Sequence, residues 1–194
     1  MKYICVFCGS SMGIRPAYKL AAQAMGEALV RRGFGLVYGG GNIGLMGTIA
    51  DAVLAARGQV IGVIPEFLVT KEIAHTGLTK LHIVDSMHER KALMAELSDA
   101  FIALPGGYGT LEEFCEILTW AQLGLHQKPF GLLNVEAYYN PLLQLFDQAV
   151  TEKFLKPTLR SLVLEASHPE HILDLLANYQ PPNIDKWIGR DIQT

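Results

Sequence analysis

The amino-acid sequence predicts an α/β fold with three layers, in which a doubly wound parallel sheet lies between helices in a single domain. Apolar runs alternate with helical patterns through almost the whole chain, which is typical of strand–helix–strand units. Runs such as VIGVI and AFIAL are apolar from end to end, as expected of strands that are buried on both faces. The 194 residues are 50% hydrophobic, which suits one covered sheet but leaves little room for a second substrate domain.

The elements follow in order along the chain, because short runs of apolar β-formers predict strands and longer stretches with apolar residues three or four positions apart predict helices. The first half gives strands at 3–8, 35–38 and 59–64, with helices at 16–31 and 45–57 between them. A longer segment leads to strand 81–84, helix 87–97, strand 100–104 and helix 110–123. Strand 129–133, helix 139–150, a short strand near 162–164 and helix 169–178 complete the series. Residues 1–180 are therefore predicted to form a Rossmann-like domain, and residues 181–194 an irregular, proline-bearing C-terminal tail.

Charge and composition exclude several classes of function. The formal net charge is −3 and no run of Lys or Arg stands out, so neither nucleic acid nor a membrane surface is an expected partner. No apolar stretch approaches the roughly 20 residues of a membrane span. The first 13 residues have too short an apolar run for a typical secretory signal. We therefore expect a cytoplasmic protein.

The three cysteines do not predict a disulfide framework, because their number is odd and no export signal precedes them. Cys5 and Cys8 form C-x-x-C, but YICVFC has the pattern of a strand, in which positions three apart point to opposite faces. A second C-x-x-C or an H-x-x-x-H, which zinc would need, is not found in the sequence. Buried strand cysteines are therefore expected, and no metal site.

The most informative segment is LPGGYGTLEEF, residues 104–114, where an apolar run ends in a glycine turn and a helical pattern begins. Glycines let backbone N–H groups approach a phosphate closely, and the amino end of the following helix favours an anion. Thr110 and Glu113 also have the spacing of a capping box, which by itself would only close the helix. However, Gly106, Gly107 and Gly109 remove side chains at three positions, as close approach of a ligand requires. The segment therefore predicts a site for a phosphorylated small molecule.

A second glycine loop, YGGGNIGLMG, occupies residues 38–47 between a strand and a helix. Gly39, Gly41 and Gly44 satisfy G-x-G-x-x-G, and Glu66 follows at about the distance found in dinucleotide-binding proteins. A dehydrogenase would also need a substrate domain and would not require the loop at 104–109. Both loops follow strands, and ligands of open α/β sheets bind beyond the carboxyl ends of the strands. Two loops around one mononucleotide therefore account for more of the chain.

Helix 87–97 carries two cations between the glycine loops. Ser86 and Glu89 have capping-box spacing before SMHERKALM, and Arg90 and Lys91 recur with methionines on one side of the helix. An ordinary amphipathic helix with solvated cations is the alternative. Because strand 81–84 is expected immediately beside strand 100–104, the first half of this helix should face the crevice. Arg90 is thus a candidate site residue.

SMHERKALM followed by PGGYGTLEE resembles the Lonely Guy (LOG) family of cytokinin-activating phosphoribohydrolases, whose members are sometimes mislabelled lysine decarboxylases. The chain matches every fixed position of the family pattern PGGxGTxxE and of its upstream RK pair. The resemblance extends from CVFCGSS through GGGNIGLMG to the helix after Glu113, about two thirds of the chain.

The resemblance implies hydrolysis of the N-glycosidic bond of a nucleoside 5′-monophosphate, usually N6-prenylated AMP, to free base and ribose 5-phosphate. It implies Arg90 and Glu113 as the catalytic pair, no cofactor, and a homodimer or larger assembly. The expected substrate-binding residues are Glu72, Lys91, Gly106, Gly107, Tyr108, Gly109, Thr110, Leu111, Glu112 and Thr119, together with Gly41, Gly44 and Met46 of the second glycine loop.

The expected chemistry agrees with these roles. Cleavage of a ribosyl bond develops oxocarbenium character, which the carboxylate of Glu113 can stabilise while it orients or deprotonates water. Glu113 is expected in the first turn of its helix, where the helix dipole favours the ionised form. Arg90 keeps its proton, so it should orient Glu113 or bind ribose or phosphate oxygens in a bidentate manner. His88 and Glu112 are the candidates for protonating the leaving base.

Two other functions stay open at this point. A decarboxylase would need pyridoxal phosphate on a lysine, for which Lys91 is the candidate, but no framework for that cofactor is recognisable. A noncatalytic nucleotide or cofactor carrier could use similar glycine loops. The choice between AMP and a prenylated analogue depends on the space near the purine N6, which Met87, Met94 or a partner subunit could shape.

Overall fold

The computed structural model describes residues 1–69 and 74–183. Within them, seven parallel strands form one sheet in the order 4-3-2-1-5-6-7. The strands are β1 (Tyr3–Phe7), β2 (Gly35–Tyr38), β3 (Val60–Pro65), β4 (Lys80–Val84), β5 (Ala100–Ala103), β6 (Phe130–Leu133) and β7 (Val163–Ala166). The doubly wound parallel sheet in a single domain is confirmed.

Helices cover both faces of this sheet. They are α1 (Pro16–Arg31), α2 (Gly44–Ala55), α3 (Glu66–Val69), α4 (Met87–Leu97), α5 (Tyr108–Gln122), α6 (Asn140–Thr151), α7 (Pro157–Arg160) and α8 (Pro169–Ala177). One buried core includes residues of α1, α2 and α8, and a second core includes residues of α4 to α7. The three layers follow from these two cores. The short helices α3 and α7 and a 3-10 turn at Val135–Ala137 were not predicted.

The sheet reverses its winding between β1 and β5. From β1 the strand order runs outward through β2 and β3 to β4, and then the chain returns to β5 on the other side of β1. The loops that follow β1 and β5 therefore meet at the switch point, where ligands of such sheets bind. The sequence places the main glycine turn in one of these two loops.

One expectation about strand neighbours is wrong. β4 (Lys80–Val84) is an edge strand that pairs with β3 and does not lie beside β5. The following helix nevertheless reaches the switch point, because α4 packs across β3, β2 and β1 on its way back to the centre of the sheet. The crossing helix, not strand adjacency, brings residues of α4 to the crevice.

The C-x-x-C pair lies in β1 and the position just after it, as predicted. Cys5 and Cys8 are both buried, and they belong to the two different cores on opposite faces of the sheet. Alternation along an extended strand accounts for this placement. The described part of the chain has no helix long and apolar enough to cross a membrane. Residues 184–194, most of the predicted tail, lie outside the described residues.

Candidate active site

A cavity of about 270 Å³ opens at the switch point of the sheet. Its walls come from the end of β1 and the loop after it, both ends of the second glycine loop, α3, the first turn of α4 and the first two turns of α5. The lining residues are Val6, Phe7, Cys8, Gly9, Ser10, Gly39, Met46, Leu68, Met87, Arg90, Gly107, Tyr108, Gly109, Thr110, Glu112 and Glu113. Five separate segments of the chain therefore converge on one small volume.

The main glycine turn leads into α5 two residues earlier than predicted. Gly107 is the N-cap in an extended conformation, without a side-chain cap, and the N–H of Leu111 donates to Gly107 O at 3.1 Å. The alternative that Thr110 and Glu113 form a capping box is therefore wrong, and Glu113 lies in the second turn of the helix. The helix starts early because the backbone is extended at Gly107 and becomes helical at the next residue, Tyr108. The helix dipole argument for Glu113 is weaker at this depth.

Glycine occurs in this turn for two different reasons. A Cβ at Gly106 would collide with the side chain of Thr110 and the backbone of Gly9, so this glycine is required by packing within the chain. A Cβ at Gly107 or Gly109 would meet no heavy atom within 4 Å, and neither residue has positive φ. The fold itself does not demand glycine at these two positions, yet both line the cavity. Bare backbone beside the cavity suits close approach of a ligand.

Arg90 is a buried cation at the wall of the cavity, with only 4% of its surface exposed. Its Nη2 donates to the carbonyl oxygen of Gly39 at 3.0 Å. A Cβ at Gly39 would clash with this guanidinium, so the first glycine of the second loop makes room for Arg90. The sequence expectation that Arg90 faces the crevice is thus met geometrically, through a contact that joins α4 to the loop after β2.

Lys91, the next residue, has different surroundings. Its Nζ contacts Glu112 Oε1 at 2.5 Å and Glu116 Oε2 at 3.0 Å, both on α5. Burial alone would lower the pKa of Lys91, but the hydrogen bonds to the two carboxylates outweigh it and raise the pKa. Lys91 is not among the residues that line the cavity. A protonated, doubly paired lysine is unsuited to forming a Schiff base, which argues against the decarboxylase hypothesis.

The start of α4 is capped as the sequence predicts. Ser86 Oγ accepts from the N–H of Glu89 at 3.1 Å, and Glu89 Oε2 accepts from the N–H of Asp85 at 2.9 Å. This arrangement differs from the usual capping box only in that the glutamate reaches one residue further back. The cap fixes where α4 begins, and thereby the position of Arg90 one turn later.

The second glycine loop packs mainly against the rest of the chain. Gly44 has φ of 60°, and a Cβ there would collide with the backbone of Ser10. Leu45 N–H donates to Gly9 O at 3.0 Å, and Gly41 forms an isolated bridge with Ala74. Packing within the chain thus explains the glycines at 39 and 44 without a pyrophosphate, which weakens the dinucleotide alternative. The loop serves to support the one that follows β1.

The cavity brings together about half of the predicted site residues. Those lining it are Met46, Arg90, Gly107, Tyr108, Gly109, Thr110, Glu112 and Glu113. Gly41, Gly44, Lys91, Gly106, Leu111 and Thr119 do not line it, and Glu72 lies outside the described residues. Of the two candidates for protonating the leaving base, Glu112 lines the cavity whereas His88 is on the exposed side of α4. The substrate-binding roles of all these residues stay predictions.

Several lining residues were not chosen from the sequence. Gly9 and Ser10 follow β1 directly, and small residues after a central strand were a usable signal because that strand borders the switch point. Leu68 lies on the short helix α3, which no sequence pattern indicated. Cys8 also lines the cavity, where burial, and then the charge of Glu113, raise the pKa of its thiol. A protonated, unreactive thiol is expected there.

Comparison with known proteins identifies the family. Residues 46–176 match the family described as "Possible lysine decarboxylase". The chain is 54% identical over 180 residues to cytokinin riboside 5′-monophosphate phosphoribohydrolase LOG1 of Arabidopsis thaliana, covering 93% of this chain and 84% of the relative. It is 51% identical to the Arabidopsis thaliana enzyme of the same name designated LOG7, with 93% and 83% covered.

Solved structures share the fold at lower identity. The molybdenum cofactor carrier protein of Chlamydomonas reinhardtii aligns with a TM-score of 0.69 at 20% identity, over 91% of this chain and 99% of that one. The molybdenum cofactor binding protein of Rippkaea orientalis gives 0.67 at 24% identity, over 91% and 96%. At these identities the likeness concerns the fold alone. The identity to the curated relatives is much higher, and it shows that this chain belongs to the LOG family of cytokinin riboside 5′-monophosphate phosphoribohydrolases.

Proposed function

We propose that this protein is a hydrolase that cleaves the N-glycosidic bond of a nucleoside 5′-monophosphate and releases the free base and ribose 5-phosphate. Its proposed substrates are AMP, N6-prenylated AMP or both. The relatives at 51–54% identity carry the name of such an activity. The observation that carries the proposal is that Glu113, Arg90 and the open glycines of the α5 turn line one cavity.

The glycine turn at the start of α5 is proposed to hold the 5′-phosphate. Amides at the first positions of a helix precede its first internal hydrogen bond, so they can donate to an anion. In α5 that first bond is the one from Leu111 N–H to Gly107 O, which leaves the amides of residues 107–110 for other acceptors. Gly107 and Gly109 provide the space. The phosphate would therefore be fixed by backbone geometry.

Glu113 is proposed to act on the sugar side of the same cavity. It lies on α5 three to six positions beyond the phosphate-binding amides, so that the carboxylate would stand near the ribose when the phosphate occupies the turn. There it would stabilise positive charge at the anomeric carbon and orient or deprotonate the attacking water. Arg90 would bind ribose or phosphate oxygens through its guanidinium N–H groups, and it is not proposed as the general acid.

The test is Glu113→Gln, which keeps the shape of the side chain and removes its charge. Release of ribose 5-phosphate from AMP should fall by a factor of about 100 or more, the range expected for loss of a general base. Glu152→Gln, an exposed position at the end of α6, is the matched control and should retain full activity. Unchanged release from Glu113→Gln would refute the mechanism. An unmodified protein that binds AMP but releases no ribose 5-phosphate would favour a noncatalytic carrier.

Substrate preference is proposed to depend on the apolar part of the cavity wall. Met46, Leu68 and Met87 line the cavity, whereas Met94 is fully buried in the core and does not. These flexible thioethers and the leucine would contact the purine or its N6 substituent. Product analysis with AMP, its isopentenyl derivative, GMP and CMP side by side would rank them. Equal rates with all four would contradict a base-selective wall.

The protein is further proposed to act as a homodimer in the cytoplasm. Tyr108, Leu123 and Leu125 expose apolar surface on or beside α5, with 93%, 39% and 63% accessible. Thr119, a predicted substrate contact, is also exposed on α5 and lies away from the cavity. A second copy seated on this helix would cover the apolar residues. Sedimentation analysis showing a monomer, or fractionation placing the protein elsewhere, would contradict these two proposals.

A further inference from the structure

Three consecutive carbonyl groups before α5 are each bound by a different donor. Leu104 O accepts from the hydroxyl of Tyr139 at 2.6 Å, and Pro105 O accepts from the N–H of Gly9 at 3.1 Å. Gly106 O accepts from the hydroxyl of Tyr138 at 2.5 Å. Neither tyrosine lines the cavity. The turn is thus held from behind, by groups that would not themselves touch a ligand.

Because the peptide group is planar, a contact that holds a carbonyl group also sets the direction of the N–H group of the next residue. In a planar trans peptide the C=O of one residue and the N–H of the next point to opposite sides. The hydroxyl of Tyr138 holds the carbonyl of Gly106, and so it sets the direction of the N–H of Gly107. Gly107 is the N-cap of α5 and lines the cavity. The tyrosine therefore fixes a donor on the side away from itself.

The segment that carries the tyrosines is unusually constrained. Glu136 and Ala137, which precede them, both have positive φ, at 52° and 59°. Left-handed backbone at two successive residues other than glycine is unfavourable and persists only where the surroundings hold it. Tyr139 supplies part of that support, because its N–H donates to Asn134 Oδ1 at 2.8 Å. The two phenols are thus held next to each other by a backbone segment that is strained at Glu136 and Ala137.

Ring packing fixes the phenols in turn. The rings of Tyr138 and Tyr139 meet edge to face at 5.0 Å, and Tyr18 of α1 packs against Tyr138 in the same manner at 5.8 Å. Tyr139 is 1% exposed and Tyr138 39% exposed. Such contacts restrict both side chains, so each hydroxyl has a defined position relative to the turn. Tyr138 can lose its hydroxyl without opening the core.

We propose that Tyr138 is a positioning residue for anion binding: its hydroxyl, together with that of Tyr139, orients the 104–107 turn so that the backbone amides face the cavity. This inference rests on the proposed function, since it assumes that the turn binds a phosphate. It adds a role for residues about 30 positions away in sequence, outside both glycine motifs.

The test is Tyr138→Phe, with affinity for ribose 5-phosphate measured by calorimetry and the unfolding midpoint measured in parallel. Tyr3→Phe is the matched control, because it also removes one hydroxyl contact, from Tyr3 to Gln59 Oε1 at 2.5 Å, but at the opposite end of the sheet. Tyr138→Phe should weaken ribose 5-phosphate binding about fivefold, the factor that corresponds to one neutral hydrogen bond. Tyr3→Phe should leave the affinity within twofold of that of the unmodified protein.

The outcomes separate this inference from the proposed function. If Tyr138→Phe keeps its affinity, or if both variants lose affinity equally, the positioning role is refuted. It is also refuted if the unmodified protein does not bind ribose 5-phosphate. If the unmodified protein binds ribose 5-phosphate and only Tyr138→Phe is weakened, but no nucleotide is cleaved, the inference holds and the proposed hydrolase activity fails.

Discussion

Replacing Gly109 with alanine is expected to make the protein more stable and less active. Gly109 occupies the second position of α5, and a Cβ there would have no heavy atom within 4 Å. Alanine is more favourable than glycine in a helix by up to about 1 kcal/mol, because glycine loses more backbone freedom on folding. In a chain of 194 residues this gain corresponds to a rise of about 2–4 °C in the unfolding midpoint.

The same methyl group would occupy space beside the proposed phosphate. A backbone amide must lie about 2.8 Å from the phosphate oxygen it binds, and a methyl group on the adjacent Cα would keep the oxygen further away. Loss of one such charge-assisted hydrogen bond costs about 1.5–3 kcal/mol. The kcat/KM for AMP and the affinity for ribose 5-phosphate should therefore fall by a factor of about 10–100.

Two measurements on Gly109→Ala check this reasoning together. Calorimetric unfolding reports the stability, and ribose 5-phosphate titration reports the affinity without requiring turnover. Gly107→Ala is the companion variant, since a Cβ there is equally free of contacts but the residue is an N-cap in extended conformation, so little gain in stability is expected. A stabilised Gly109→Ala that keeps its full affinity would show that no ligand approaches this part of the turn.

Two further results are expected from the charged groups. Lys91→Met should lower the free energy of unfolding by about 2 kcal/mol, less than for a fully buried pair, because Glu116 loses its cation in a site that is 25% exposed. Calorimetry measures this, and an unchanged midpoint with weakened nucleotide binding would instead indicate direct substrate contact. Stability should also fall as the pH drops below about 6.5, because burial lowers the pKa of His126 and only the unfolded chain then takes up the proton readily. Urea unfolding at pH 7.5 and 5.5 should show the loss, and His126→Gln should reduce it; a difference that His126→Gln leaves unaltered would contradict the assignment.

Much of the fold could be predicted from the sequence, because the strands of a doubly buried sheet are apolar throughout and the helices have clear periodicity. Helix α4 begins at Met87 as predicted, since Ser86 provides a local cap that the sequence shows directly. The start of α5 was misplaced by two residues, because Gly107 caps the helix by its backbone conformation and leaves no side-chain signal. The start of a helix could therefore be predicted where a side chain provides the cap.

The parts of the site that were missed depend on contacts distant in sequence. The pairing of β4 with β3 was not visible, because the order of strands in a sheet is set by crossovers that local patterns do not encode. The carbonyl contacts of Tyr138 and Tyr139 likewise join segments more than 30 residues apart. Even the partners of Lys91 could not be inferred, since they lie on the next helix. Tertiary contacts of this kind require the structure.

Arg90 and Lys91 are neighbours on α4 but have different surroundings, and the geometry of the helix explains why. Consecutive residues of a helix point about 100° apart, so Arg90 and Lys91 point in different directions from α4. Arg90 lines it, whereas Lys91 points to α5 and contacts Glu112 and Glu116, which are one turn apart. The lysine therefore ties together the two helices that carry Arg90 and Glu113. Lys91 is next to Arg90 in sequence, and its partner Glu112 is next to Glu113. A substitution of Lys91 should therefore affect the reaction by changing the distance between the α4 and α5 walls of the cavity, even without any contact between Lys91 and the substrate.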